Sequence, residues 1–180
     1  MEDCISITFP FKVYLNGKWG FIDETGREIC PCKYDWIYDF CEGFAKVYLN
    51  GKWGVIDETG REICPIKYDG IGYFYEELAV VKLNNKWGFI DVTGREICPC
   101  IFDFAYIIHY KAVVKLNKCW GVIGYNSDYI LPCIYDKVDI YGERMFATKL
   151  AMKYTFDLSG ECIGVQALPN AQYLIYKKNM

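Results

Sequence analysis

The side chains in this 180-residue sequence that could do chemistry are one histidine, ten cysteines and a set of aspartates recurring at a fixed beat. A Ser-His-Asp or Cys-His device would have to be built around His109. That residue falls in a variable segment, has no counterpart histidine elsewhere in the chain, and reads as solvent-exposed or partly packed. Asp23, Asp57 and Asp91 each open an Asp-x-Thr-Gly turn. A carboxylate used for acid–base work is expected once, in a special environment, whereas an aspartate repeated at turns bonds the turn backbone. The cysteines are the more tempting case, because Cys30-Pro31-Cys32 and Cys98-Pro99-Cys100 set thiols one residue apart and Cys64 and Cys133 occupy equivalent places. Stacked copies would then offer zinc four thiolates. Against that, zinc knuckles place two residues between their cysteines, Ile66 and Leu131 break the columns, and cysteine packs well as a small apolar residue. The glycines stand singly and open no phosphate loop. The expectation is no catalytic residue, no metal and no cofactor.

What positions these residues is a repeat. Residues 16–35, NGKWGFIDETGREICPCKYD, and 50–69, NGKWGVIDETGREICPIKYD, differ at two places. A Trp-Gly pair recurs at Trp19-Gly20, Trp53-Gly54, Trp87-Gly88 and Trp120-Gly121. A proline keeps the same beat at Pro31, Pro65, Pro99 and Pro132, followed by Tyr34-Asp35, Tyr68-Asp69, Phe102-Asp103 and Tyr135-Asp136. Copy four has Gly124 and Ser127 at the turn in place of Asp and Gly, and a worn fifth copy keeps Asp157 and Gly160 without the Trp-Gly pair, so those turns are expected to be altered. Tyr173 to Lys178 reads as a further first strand without a hairpin partner.

Within a copy, Phe44–Leu49 alternates as a half-buried strand, Asn50-Gly51 supplies a type I′ hairpin turn, and Trp53 to Asp57 forms the returning strand. A third strand, Arg61 to Cys64, is expected to stop at Pro65, which cannot donate to a ladder. The segment after the proline reads as a short strand or turn with Ile37, Ile71, Ala105 and Val138 inward. The tryptophan is expected to bury its indole against the next unit, and the glycine to let that neighbour come close.

With 53% hydrophobic residues and 18% aromatics the chain has ample material for a core and should fold throughout. The 20 Lys and Arg are dispersed and the net charge is −3, which leaves no footprint for nucleic acid or an anionic membrane. The start, Met1-Glu2-Asp3, carries acid where a secretory signal carries base, and no apolar run reaches the length of a membrane span. A cytoplasmic protein with reduced thiols is expected.

The pattern Gly-Lys-Trp-Gly-(Phe/Val)-Ile-Asp-x-x-Gly, followed in register by Ile-x-Pro and Tyr-Asp, resembles the bacterial WG repeat family over about residues 11 to 160. The resemblance implies a repeat with no assigned enzyme activity. The fold expected is all-β, a tandem array of about 34-residue antiparallel hairpin or meander repeats in a single domain, with copies near 11–43, 44–77, 78–110 and 111–144 and a degenerate cap at 145–180. An open, solenoid-like spiral is placed first and a five-bladed propeller second.

Function is sought on the surface. Positions after each proline change while the framework stays fixed: Trp36 and Tyr38, Gly70 and Gly72, Phe104 and Tyr106, Lys137 and Asp139. Trp36, Tyr38, Phe104, Tyr106 and Lys137 are therefore the candidate contacts of a protein-interaction or scaffolding module. Carbohydrate or cell-envelope binding through exposed Trp and Tyr is the alternative, and a homodimer through the terminal copies is a further expectation.

Overall fold

The turns decide the architecture. Asn16-Gly17 and Asn50-Gly51 carry φ of +52°, +80°, +51° and +81°, and Asn84-Asn85 carries +51° and +61°, the pair of positive values that reverses a strand in two residues. The structure, a computed structural model, describes residues 10–168, and these contain strands and turns without helix. Sheet 1 holds β1 (Phe11–Leu15), β2 (Lys18–Ile22) and β3 (Glu28–Tyr34). Sheet 2 holds β4 (Trp36–Ile37), β5 (Phe44–Leu49), β6 (Lys52–Asp57) and β7 (Glu62–Tyr68). Sheet 3 holds β8 (Gly70–Tyr75), β9 (Leu78–Leu83), β10 (Lys86–Asp91) and β11 (Glu96–Phe102). Sheet 4 holds β12 (Phe104–Ile108), β13 (Lys111–Leu116), β14 (Cys119–Gly124) and β15 (Tyr129–Tyr135), and sheet 5 holds β16 (Lys137–Tyr141), β17 (Arg144–Lys149), β18 (Met152–Asp157) and β19 (Cys162–Ala167). The chain is thus an all-β tandem array of antiparallel meanders, the unit common to both expected architectures. The segment after each proline is the first strand of the next sheet. Tyr173 to Lys178 lies outside the described residues.

The third strand differs from expectation. It runs on through the proline, as in β7, where Val55 opposes Cys64 and Trp53 opposes Tyr68, so three residues of β7 stand opposite the single Gly54. Pro65 belongs to this bulge, where a missing N–H leaves no ladder bond unmade. The bulge crosses directly over the glycine. A Cβ on Gly54 would lie 2.7 Å from Ile66 Cγ1 and 2.9 Å from the Cys64 carbonyl, and one on Gly20 would lie 2.7 Å from the Cys30 carbonyl. The glycine of Trp-Gly therefore makes room for the next strand of its own sheet, not for a neighbouring unit. The tryptophan also departs from its expected role. Trp19, Trp53, Trp87 and Trp120 are only half-buried, and the aromatic that enters the core is the residue after the bulge: Tyr34, Tyr68, Phe102 and Tyr135.

Two compact units divide the chain, Met1–Asn84 with Ile90–Glu96, and Asn85–Phe89 with Ile97–Met180. In the first, the core lies between sheets 1 and 2, with Phe21, Cys30 and Tyr34 packed on Ile37, Ala45, Val47 and Ile56. In the second it lies between sheets 4 and 5, with Val113, Val122, Leu131 and Tyr135 on Val138, Met145, Ala147 and Phe156. Burying a side chain of this size contributes about 1.5–3 kcal/mol.

Polar contacts fix the spacing between sheets. In three copies the aspartate after the core aromatic spans a junction: Asp35 takes the Lys18 ammonium from sheet 1 with one oxygen and the Asn50 N–H from sheet 2 with the other, at 2.8 Å for the amide. Asp69 does the same for Lys52 and Asn84, at 2.5 and 2.6 Å, and Asp103 for Lys86 and Asn117, at 2.5 and 2.8 Å. The turn glycine of one sheet sits on the preceding sheet's third strand, Gly60 against the Ile29 carbonyl and Gly94 against that of Ile63. In copy four Ser127 stands at that place and donates its hydroxyl to the Ile97 carbonyl. The turn backbone survives the change, with Gly124 N–H bonded to the Asp128 carbonyl at 2.9 Å as Asp23 N–H is to that of Arg27. The worn fifth copy keeps its turn as well, Asp157 accepting from Ser159 and Glu161.

Gly54→Ala is expected to lower the unfolding free energy by about 2–3 kcal/mol, measured by urea denaturation, because the bulge backbone must move. Gly51→Asn, which reproduces the Asn84-Asn85 turn, should change it by less than about 0.5 kcal/mol. The Lys52 ammonium and the Asn84 amide hold the Asp69 carboxyl below its ordinary value of 3.8. Since the folded value is the lower one, its contribution is complete above that value and is lost as pH falls through the folded one. Thermal midpoints should therefore stay level from neutral pH down toward 3.8 and then fall. Asp69→Asn should lower the neutral midpoint and lessen that fall.

Candidate interaction surface

Strand alternation places Tyr48, Trp53 and Trp36 in one cross-strand row of sheet 2, Trp36 opposite Tyr48 and Tyr48 opposite Trp53. Tyr14 stands opposite Trp19 in sheet 1. The rings touch in sequence: Tyr14–Trp19 centroids are 4.8 Å apart, Trp19–Trp36 6.0 Å and Tyr48–Trp53 4.7 Å. Tyr38 lies 5.7 Å from Trp53 and 6.4 Å from Tyr73. Trp36 is 48% exposed and Tyr73 58%. Lys46 is held between Tyr38 and Tyr73, its ammonium 4.6 and 3.6 Å from the two ring centres. Burial there pushes the Lys46 value down. A cavity of about 20 Å³ beside these groups has room for about one water molecule.

The second unit repeats the arrangement more sparsely. Phe104 stands between Trp87 and Trp120, 6.0 Å from each with near-perpendicular rings, and 6.2 Å from Tyr106. The Lys115 ammonium lies 5.2 Å from the Trp120 ring. Asp103, Phe104, Lys115, Lys118 and Trp120 line a surface depression of about 520 Å³.

Of the sequence candidates, Trp36, Tyr38 and Phe104 fall in these rows. Tyr106 is half-buried against the core between sheets 4 and 5, and burial, then the Asp139 carboxylate, pushes its phenol up. Lys137 is exposed opposite Thr148 and ion-paired with Asp139 at 2.6 Å, with the Tyr106 and Tyr141 phenols near enough to act on its charge. Lys46, Tyr48 and Tyr73 were not singled out from the sequence. The alternation of β5 could have found the first two. Tyr73 hides behind an irregularity in β8, where the register passes from Ile71–Val81 to Phe74–Ala79 and shifts the aromatic position by residues that spacing alone does not show.

The remaining titratable groups are arranged for structure. His109 sits exposed at the β12–β13 hairpin tip with φ of +48°. The Thr25 hydroxyl, then the Arg27 and Thr25 amides, outweigh burial to hold the Asp23 carboxyl below its usual range. Cys30, Cys64 and Cys98 are buried, and burial pushes the Cys64 thiol up to about 12. Among the described residues no group of three or more His, Cys, Asp or Glu is placed to hold a metal ion, and no helix is long and apolar enough to cross a membrane. Alkylation of the native protein, mapped by mass spectrometry, should modify exposed Cys41 and Cys162 at least about tenfold faster than Cys30, Cys64 and Cys98, whose thiolates are suppressed.

No curated protein matches the chain. Among solved structures, Hsv2p of Kluyveromyces lactis is 12% identical, with 86% of this chain and 58% of that one covered at a TM-score of 0.45. BamB of Moraxella catarrhalis is 8% identical, with 87% and 60% covered at 0.37. This chain spans less than two thirds of the length of either. The model of a family described as WG containing repeat matches residues 19–53, 53–87 and 87–118, each beginning at a tryptophan of the half-exposed rows. Those three tandem copies take in more than half of the sequence, and the chain belongs to the WG containing repeat family.

Proposed function

We propose that this chain is a non-catalytic interaction module that holds another protein, in the cytoplasm, through its aromatic rows. The observation that carries this reading is the placement of Phe104 between Trp87 and Trp120, matched in the first unit by Trp36 against Trp19. Rings fixed by their neighbours lose little further freedom when a partner covers them, and half-exposed aromatics with charged groups at the rim are the composition of interface hot spots. The repeat family is not known as an enzyme family, and the buried thiols and turn-bound aspartates support a scaffold role. A second reading, carbohydrate binding, is favoured by the depression at Trp120, where Lys115, Lys118 and Asp103 surround an aromatic floor.

The test is retention from a lysate on immobilised wild type and on a Trp36→Ala, Tyr38→Ala, Phe104→Ala variant with an unchanged circular dichroism spectrum. A retained protein would then be purified and titrated against both. Affinity is expected to fall at least about tenfold in the variant, since a truncated hot-spot aromatic costs about 2 kcal/mol or more. Equal affinity would remove the aromatic rows from the interface. A glycan bound by the wild type and lost with Trp120→Ala would favour the second reading.

A further inference from the structure

Within each unit, a sheet with a predecessor has one face covered by it. In sheet 2 the covered positions are Ala45, Val47 and Ile56, all fully buried beneath Phe21, Cys30 and Tyr34. The register of sheet 1 puts Phe11, Val13 and Ile22 at the same positions, with Leu15 beside them where sheet 2 has Leu49. There Leu15 is 61% exposed, Phe11 38%, and Val13 and Ile22 are partly open. Two further contacts of the repeat junction are incomplete at this end. Gly60 and Gly94 sit on a preceding isoleucine carbonyl, but Gly26 is exposed and no described residue comes within 4 Å of a Cβ built on it. Glu62 and Glu96, themselves exposed, take Lys33 and Lys67 of the preceding sheet at 3.1 and 2.5 Å, whereas Glu28, in the same place, has no lysine partner among the described residues.

The outer face of sheet 5 is built differently. Val55, Cys64 and Tyr68 of sheet 2 have their counterparts by register in Thr155, Gly164 and Gln166. Thr155 and Gln166 are polar and Gly164 has no side chain, so sheet 5 lacks the apolar set that fills the repeat junction elsewhere. Among the described residues the outer face of sheet 5 mixes Thr155, Gly164 and Gln166 with Phe146 and exposed Tyr141, whereas that of sheet 1 carries an apolar surface, an open turn and a glutamate without a lysine that together match one object.

We propose that the outer face of sheet 1 is a docking surface for the terminal β-sheet of another WG-repeat polypeptide. That sheet presents a Val/Phe, Cys and Tyr set to Val13, Leu15 and Ile22, an isoleucine carbonyl to the Gly26 turn and a lysine to Glu28. A second copy of this chain does not fit, because its sheet 5 offers Thr155, Gly164 and Gln166. The surface is separate from the aromatic rows, so the two proposals stand or fall independently.

The probe is the full chain carrying Thr155→Val, Gly164→Cys and Gln166→Tyr to restore the missing face, with Leu15→Glu to block its own sheet 1. Mixed with wild type, it is expected to give a one-to-one complex by light scattering. That complex should weaken at least about tenfold when the wild-type chain also carries Leu15→Glu, which would place an unpaired charge in an apolar contact. A probe with the wild-type circular dichroism spectrum that forms no complex overturns the proposal. So does a wild-type dimer abolished by Leu15→Glu, which would give the face to a second copy. If the probe does not fold, a chain in which residues 1–9 are replaced by a second copy of residues 44–77 decides the matter. A higher thermal midpoint there, with Val13→Asp more damaging than in the natural chain, supports the docking surface, and an unchanged midpoint overturns it.

Discussion

The contact on which the repeat depends is a third strand crossing a glycine with no space for even one more carbon. Over Gly20, Gly54, Gly88 and Gly121 a Cβ would lie 2.6–2.7 Å from its nearest atom, a backbone carbonyl in three cases and a side-chain carbon at Gly54. The crossing exists because three residues of the bulge oppose one, and the bend turns the following tyrosine or phenylalanine into the core between sheets. The aspartate after it is carried to the junction, within reach of a turn amide ahead and, at Asp35, Asp69 and Asp103, of a lysine behind. The tryptophan beside the glycine is left at the rim. A single local steric condition thereby sets the core, the junction and the exposed rings.

The junction combines effects of unequal size. Ion pairs such as Lys52–Asp69 are substantially exposed and each is worth little by itself. The buried rings of Tyr34 and Tyr68 and the thiols beneath them supply most of the stabilisation. What the polar contacts add is position: a carboxylate that accepts from two successive sheets fixes how far one sits from the next. Copy four shows the tolerance of the design. Ser127 replaces a glycine that touches a carbonyl and turns the close approach into a hydrogen bond, at the cost of a positive φ of 66°.

Chemistry in this protein is spread over repeated positions instead of being concentrated in one. The aspartates that resemble candidate bases have their lone pairs committed to turn amides and hydroxyls, and the cysteines that resemble metal ligands are partly filler beneath the bulge. The aromatic rows differ from copy to copy while their supports do not, and the outer faces of sheets 1 and 5 differ again, the first apolar and the second without the Val/Phe, Cys and Tyr set. Recognition by surfaces is the use such an arrangement suits.

From the sequence alone the repeat, its period, the Asn-Gly hairpins and the all-β class were legible, because they depend on local conformational preference and on alternation that any one copy displays. The aspartate turns were legible for the same reason. The end of the third strand was misread: proline was taken as a stop, whereas a bulge has no ladder bond for it to break. Which aromatic is buried was equally hidden: the tryptophan was expected to bury its indole, whereas the register sets Trp53 opposite Tyr68 and the bulge turns only the tyrosine inward. Candidate contacts Trp36, Tyr38 and Phe104 were found by their variation, but of the partners that order them Trp19 and Tyr73 come from neighbouring sheets and Lys46 from the next strand of the same sheet. Local chemistry fixes each sheet, and the packing of one sheet on the next within a unit decides what is buried, what is clamped and what remains at the surface.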